Sequence, residues 1–521
     1  MRFMVPLNWR PKADRFDVVC GFRNRHDRHR CLLYPSKAEI GRNLATTLSL
    51  STDNTKRMDP QMDKLSAAGL VRAYRRRELS PVEVTQAALQ RIERLNPHYN
   101  AFCLVDADEA LRSAMRSEER WQKNEPLSFI DGVPATIKDL VLTKGWPTLR
   151  GSRTVDASQS WEEDAPATQR LREAGAVLLG KTTTPEFGWK GVCDSPLTGI
   201  TRNPWNPKMT PGGSSGGAAV AAALRLGFLH LGTDGGGSIR IPAAFSGVFG
   251  LKPTFGLVPS YPLSPFGTIA HLGPLGISVE DAARMLTIIS RPDARDWYAL
   301  PYTPHDFTVG LEDGIAGLNI AFSPTLGYAS VKEEVATLVK SAISRLVDAG
   351  ARVELEDPGF EDPSETFRDH WYTGAANLRR NIPTERRTLL EPGFAAIADA
   401  GEQIPHMQYI AATNARAIIG HRMNQFHEKF DLLLTPMIPI TAFEVGQIAP
   451  TGTAQWMHWT PFTFPFNLTQ QPAASIPCGF TSAGLPVALQ IVAAKYRDDL
   501  VLRAARAYEA LDPIKTPSVP N

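Results

Sequence analysis

Two glycine-framed serine motifs lie close together in the chain, Gly212-Gly213-Ser214-Ser215-Gly216-Gly217 and Gly235-Gly236-Gly237-Ser238. Runs of residues without a Cβ are costly inside helices or strands, and they belong where backbone must turn sharply or approach another group closely. A lysine stands well upstream in Gly132-Val133-Pro134-Ala135-Thr136-Ile137-Lys138-Asp139. Hydroxyls framed by exposed backbone N–H groups, with a basic side chain to serve them, are the parts of a nucleophile and its proton relay.

A serine hydroxyl is a weak nucleophile until a neighbouring base takes its proton, and the usual base is histidine. No histidine in this chain sits in a comparable glycine frame; His230, His271 and His458 lie beside apolar or aromatic runs, where the ordinary role is packing. Lysine can replace histidine only when neutral. Its unperturbed pKa near 10.4 leaves roughly one molecule in a few thousand neutral at pH 7, a handicap of about 4–5 kcal/mol. Desolvation removes that handicap by lowering the pKa. Lys138 ends the apolar, β-type run Val133 to Ile137, which reads as a buried strand.

The stretch from Ile130 to Pro259 resembles the amidase signature family of serine hydrolases, with weaker similarity from about Leu65 to Ala510. The pieces that carry the resemblance are the two serine motifs, Ala218 to Leu224, Leu231-Gly232-Thr233-Asp234, Ser238-Ile239-Arg240-Ile241-Pro242-Ala243-Ala244 and Gly250-Leu251-Lys252-Pro253-Thr254, in the family's order and spacing. By motif, the resemblance implies Lys138 as general base, Ser214 as a bridging serine on a cis peptide and Ser238 as nucleophile. A bridging hydroxyl suits this role because it donates to one partner while accepting from another. Gly235, Gly236, Gly237 and Ser238 are the candidate oxyanion-hole residues through their backbone N–H groups. Asp234 and Arg240 flank that loop and read as an ion pair holding it, a purpose that an ordinary structural pair would serve equally. A helix opening at Gly216-Gly217 would add its positive end beside the relay. Glycine-serine clusters are also the composition of flexible linkers, but so long and ordered a pattern is not linker-like.

The implied fold is α/β, a mixed central sheet covered by helices on both faces in a single compact amidase domain, residues 58–515. Its signature core is residues 130–260, and a variable, substrate-shaping region covers about 291–455. The residues agree in outline. Ser80-Pro81-Val82-Glu83 reads as a capping box with proline at the first helical position, followed by Val84, Ala88, Ile92 and Leu95 on one face. The strand-like pair Leu178-Leu179, a small-residue helix Gly217 to Leu224, a strand Phe228 to Gly232 and a helix Val279 to Ile289 alternate as a mixed sheet requires. Phe367, Trp371 and Tyr372, and later Trp456, Trp459, Phe462, Phe464 and Phe466, supply apolar walls that serve either core or substrate pocket. Gln470 and Ala488 stand where relatives often have glycine.

One further motif is misleading. Gly175-Ala176-Val177-Leu178-Leu179-Gly180-Lys181-Thr182 matches the phosphate-loop pattern G-x-x-x-x-G-K-[ST]. Its inner residues themselves read as a strand, after a helical run Thr168 to Ala174, and Pro185 interrupts any helix that would follow. Nucleotide binding is therefore not expected.

Lys and Arg number 56 against 54 Asp and Glu, so nothing in the charge directs the chain to nucleic acid or an anionic membrane. No apolar run approaches the roughly 18 residues of a spanning helix. Five scattered cysteines, Cys20, Cys31, Cys103, Cys193 and Cys478, fit a reducing, cytoplasmic setting rather than a disulfide scaffold. Met1 to Arg57 is rich in arginine and poor in apolar periodicity, and reads as an N-terminal extension, disordered or upstream of a true start at Met58 or Met62. Its Cys20, His26, His29 and Cys31 match no common zinc spacing. The expected activity is hydrolysis of small carboxylic amides, including aryl amides, esters or carbamates, with no metal or cofactor and a small-molecule amide as partner. A homodimer is compatible with this. The rival is the glutaminase subunit of a tRNA-dependent amidotransferase, whose members usually carry glutamine after Ser-Ile-Arg; this chain has Ile241.

Overall fold

A computed structural model describes residues 65–453 and 455–518; the N-terminal extension and its Cys/His set lie outside the described residues. Eleven strands form one sheet: β1 (Phe102–Val105), β2 (Pro134–Lys138), β3 (Val177–Thr182), β4 (Leu229–Asp234), β5 (Phe249–Lys252), β6 (His271–Gly276), β7 (Asn319–Phe322), β8 (Arg352–Leu355), β9 (Leu432–Pro436), β10 (Ala473–Phe480) and β11 (Pro486–Ala493). Their spatial order is β1-β3-β2-β4-β6-β5-β10-β11-β9-β7-β8. β3, β2 and β4 run parallel, as do β9, β7 and β8, and the strands between them pair antiparallel.

Alternation along the strands feeds two cores. In β9, Leu432 and Leu434 enter one hydrophobic cluster and Leu433 the other; in β7, Ile320 and Phe322 oppose Ala321 in the same way. Both faces are thus covered, which is why β2, β3 and β9 are buried along their whole length and read as apolar runs. The result is a single α/β domain with a mixed central sheet.

Helices begin where local chemistry dictates. In the helix Pro81–Tyr99, Ser80 Oγ accepts from Glu83 N at 3.1 Å and Glu83 Oε2 accepts from Ser80 N at 2.9 Å, the reciprocal box read from sequence. Val84, Ala88, Ile92 and Leu95 are buried on its inner face. The helix Val279–Ile289 has the expected bounds, and the small-residue helix runs Gly216–Ala223. β4 extends beyond the expected strand to Asp234, because His271 of β6 pairs with that residue. The phosphate-loop look-alike, Gly175 to Thr182, is β3 itself with the two residues that lead into it from the helix Pro166–Glu173; Lys181 is buried and donates to Val141 O at 2.5 Å and Thr148 Oγ1 at 2.7 Å.

Register places the chemistry. Lys138 and Asp234 are the last residues of the adjacent parallel strands β2 and β4, and His271 opens the antiparallel β6 beside Asp234. All three reach the same edge of the sheet, the carboxyl end of its parallel portion, where open α/β sheets form their crevices. Among the described residues no helix is long and apolar enough to cross a membrane, and no group of three or more His, Cys, Asp or Glu side chains could hold a metal ion.

Candidate active site

Lys138 is fully buried, and its Nζ lies 2.7 Å from Ser214 Oγ, 2.8 Å from Ser215 Oγ and 2.9 Å from Thr233 Oγ1. Burial lowers its pKa from the usual lysine value to about 7, against the opposing pull of Cys193 and Asp234. Among the described residues no carboxylate lies within salt-bridge distance of it to lock the amine in its charged form. Ser214 follows a cis peptide bond from Gly213.

Ser215 shows how the hydrogens are distributed. Its hydroxyl donates to Thr233 O at 3.1 Å, so its one hydrogen is engaged and it must accept from Lys138. A neutral amine has two hydrogens and one lone pair for its three hydroxyl neighbours. One neighbour therefore has to donate to it, and the choice falls between Ser214 and Thr233.

The Gly235–Ser238 loop is held from below by Asp234. Gly237 N donates to Asp234 Oδ1 at 2.7 Å and Ile239 N to Oδ2 at 3.1 Å. Gly237 is thus the member of the expected oxyanion set whose N–H is already taken; Gly235, Gly236 and Ser238 have no such acceptor among the described residues. Arg240 faces Asp234 through two bonds of 3.0 Å, both side chains being fully buried. Its remaining hydrogens reach Thr463 O at 3.0 Å, Gln490 Oε1 at 2.8 Å and Asn467 Oδ1 at 2.6 Å, while Asn467 Nδ2 returns to Asp234 Oδ1 at 2.9 Å. Burial opposes ionisation of Asp234, but Arg240 and Asn467 outweigh it and hold the carboxyl well below the usual range.

The aromatic residues explain why this loop is glycine. A Cβ on Gly236 would stand 2.6 Å from the Phe367 ring, and Gly237 has φ +116° with Thr463 2.7 Å from the position of a Cβ. Phe367 stacks on Phe464 at 4.9 Å between centroids and lies beside Trp371 at 5.4 Å, and Trp371 stacks on Phe266 at 3.9 Å. Trp371 lines the cavity in front of the serines, whereas Trp456, Trp459, Phe462, Phe464 and Phe466 pack in the core behind it.

The cavity itself, about 130 Å³, is bounded by Ser214, Thr233, Gly235 and Ser238 on the strand-end side. Leu140, Phe187, Trp371, Leu378 and the segment Ser260 to Phe266 also line it. Sequence reasoning found Lys138, Ser214, Ser238, Asp234 and Arg240, which the fold brings together, but missed Ser215 and Thr233 around the amine, Thr463, Asn467 and Gln490 around the guanidinium, and the 260–266 wall. The second serine of the first motif was the available signal for Ser215; the others carry none.

The histidines are elsewhere or otherwise engaged. His230 is buried against Thr136 Oγ1 at 2.9 Å, and burial lowers its pKa to about 3. His271 borders the cavity, but its Nδ1 faces the carbonyls of Asp234 and Ile269, and burial holds the ring well below its usual pKa and neutral. His458 is exposed.

Comparison with known proteins agrees with this geometry. A family model described as Amidase matches residues 83–502. An acylamidase of Rhodococcus erythropolis is 35% identical over 458 residues, spanning 86% of this chain and 96% of that protein. A glutamyl-tRNA(Gln) amidotransferase subunit of Myxococcus xanthus is 34% identical over 467 residues, 83% of this chain and 94% of that protein. Among solved structures, a bacterial aryl acylamidase of the amidase signature family superposes with a TM-score of 0.80 at 31% identity, over 86% of this chain and 96% of that one.

Proposed function

This chain belongs to the amidase signature family and is an amidohydrolase, and from that premise we propose that Ser238 attacks the amide carbonyl while Lys138, acting through Ser214, takes its proton. The observation that carries this reading is the buried Lys138 amine, ringed by three hydroxyls within 2.9 Å and, among the described residues, without a carboxylate in salt-bridge reach. Above about pH 7 it is neutral and holds a free lone pair. Ser214 passes its hydrogen to that lone pair and receives the hydrogen of Ser238, whose Oγ forms the bond to carbon. The developing oxyanion is met by the N–H groups of Gly235, Gly236 and Ser238, each such donor being worth about 10²–10³ in rate. Collapse breaks the C–N bond, the relay returns its proton to the leaving nitrogen, and water then releases the acyl group by the same sequence.

Asp234 and Arg240 are proposed to hold the nucleophile's loop. Free-standing action, rather than service in an amidotransferase assembly, is favoured by Ile241, which fills the space over Gly212 and Gly237 where glutaminase subunits usually carry glutamine. The cysteines among the described residues, Cys103, Cys193 and Cys478, are free thiols, which supports a cytoplasmic setting. Labelling by a fluorophosphonate probe tests the nucleophile: Ser238→Ala is expected to abolish labelling and turnover together, and undiminished labelling of that variant would place the nucleophile on another residue.

A further inference from the structure

The cavity in front of Ser238 has walls of leucine, phenylalanine, tryptophan, proline and serine, and a single charged side chain, Arg150. Among the described residues its guanidinium has no hydrogen-bond acceptor and no carboxylate within 4.0 Å, whereas Asp234, Asp131 and Asp164 are each claimed by another arginine. Arg150 is partly buried, and burial lowers its pKa from the usual arginine value, with Asp139 pulling the other way. Asp139 faces two bases at once, Arg150 and Lys181, and its Oδ2 also accepts from Gly151 N at 3.1 Å. Asp164 also acts on Lys181 but is bound to Arg172, so the carboxylate that acts on Arg150 is shared with Lys181.

A guanidinium drawn out of water without an anion is unfavourable, and its fork of donors matches a carboxylate. The backbone at Arg150 does not explain the side chain. Its φ of +59° and its carbonyl, which accepts from Phe187 N at 2.8 Å, involve main-chain atoms and make no use of the guanidinium. An apolar pocket with one convergent polar group is the arrangement that fixes a ligand's orientation. We propose that Arg150 is a specificity-determining residue and that the preferred substrates are amides in which an aliphatic or aromatic arm carries a carboxylate. This rests on the amidase reading of the site and narrows it.

Two matched pairs of amides test the inference. Glutaryl 4-nitroanilide against pentanoyl 4-nitroanilide places the carboxylate on the acyl arm; 4-acetamidobenzoate against 4'-methylacetanilide places it on the amine arm. In one pair the wild type is expected to favour the carboxylate by about tenfold or more in kcat/KM. Arg150→Met should bring that ratio to within about twofold of unity through KM while the neutral amide is still hydrolysed, and Arg150→Lys should retain part of the preference. Equal or reversed preference in both pairs on the wild type, or an unchanged ratio in Arg150→Met, would overturn it. The wild-type comparison needs no variant to fold. Kd measured on Ser238→Ala gives a second reading without turnover, with the carboxylated member binding about tenfold or more tighter. If Ser238→Ala still hydrolyses these amides, the proposed nucleophile fails, and the wild-type ratios still decide the role of Arg150.

Discussion

Among the described residues three lysines are fully buried, and what separates them is the kind of oxygen each one meets. Lys181 donates to the carbonyl of Val141 and to Thr148, and Lys252 to the carbonyls of Gln471 and Pro253. A carbonyl can only accept, so no proton can come from it. Lys138 is surrounded by hydroxyls alone, and a hydroxyl can give. The expected consequence is an acid limb in kcat/KM near pH 7, activity rising with pH as Lys138 loses its proton. Lys138→Ala should cost about 10²–10⁴ in the acylation rate. His271→Gln should leave the acid limb in place, because burial pushes that ring well below its usual pKa and away from the limb. Stopped-flow acylation rates between pH 5 and 9 check both outcomes; a limb that vanishes in His271→Gln would transfer the role of base to histidine. The sequence revealed the lysine because strand burial and the glycine frames are local signals. It was silent on Thr233, whose hydroxyl meets Lys138 only because β2 and β4 are neighbours in the sheet.

At the level of elements, the legible parts were those fixed by their own residues. The capping box before Pro81–Tyr99 and the full extent of Val279–Ile289 could be read directly. Ser80→Ala removes the acceptor for Glu83 N and should lower stability by about 1 kcal/mol in urea titrations without affecting turnover, since the helix carries no chemistry. Less legible was the wall facing the serines. Ser260 to Phe266 is rich in proline and serine and has no period, so nothing in its sequence foretells that Phe266 will stack on Trp371, a residue of the helix Ser364–Arg380. The aromatic residues could be recognised as apolar walls, but which ring would face substrate depended on how that helix meets the sheet. Trp371→Ala should raise KM for aryl amides while Lys138, Ser214 and Ser238 keep their kcat on small aliphatic amides. A steady-state comparison of acetanilide with acetamide checks the split.

Across the whole molecule, Arg240 is the point where distant stretches of chain meet. It joins Asp234 on the nucleophile's loop to Thr463, Asn467 and Gln490, the last of them 250 residues further along. Arg240→Met should destabilise the fold by about 3–5 kcal/mol, because it leaves the Asp234 carboxylate buried and unpaired. Urea denaturation followed by circular dichroism measures this, and a loss below about 1 kcal/mol would mean that Asp234 finds another partner. The resemblance carried by residues 130–260 anticipated the pair but not its anchors, since nothing within that block states which residues of the last strands will reach back. Those anchors also set a clock. A ribosome adding about 5–20 residues per second needs on the order of 12–50 s to travel from Arg240 to Gln490. Throughout that interval the serine, the lysine, the glycine loop and Asp234 have all been synthesised while the set of distant oxygens that hold the guanidinium, on Thr463, Asn467 and Gln490, is still incomplete. The nascent enzyme is therefore expected to stay silent until almost its entire length has emerged, and stalled chains ending before β11 should neither hydrolyse amides nor react with a fluorophosphonate.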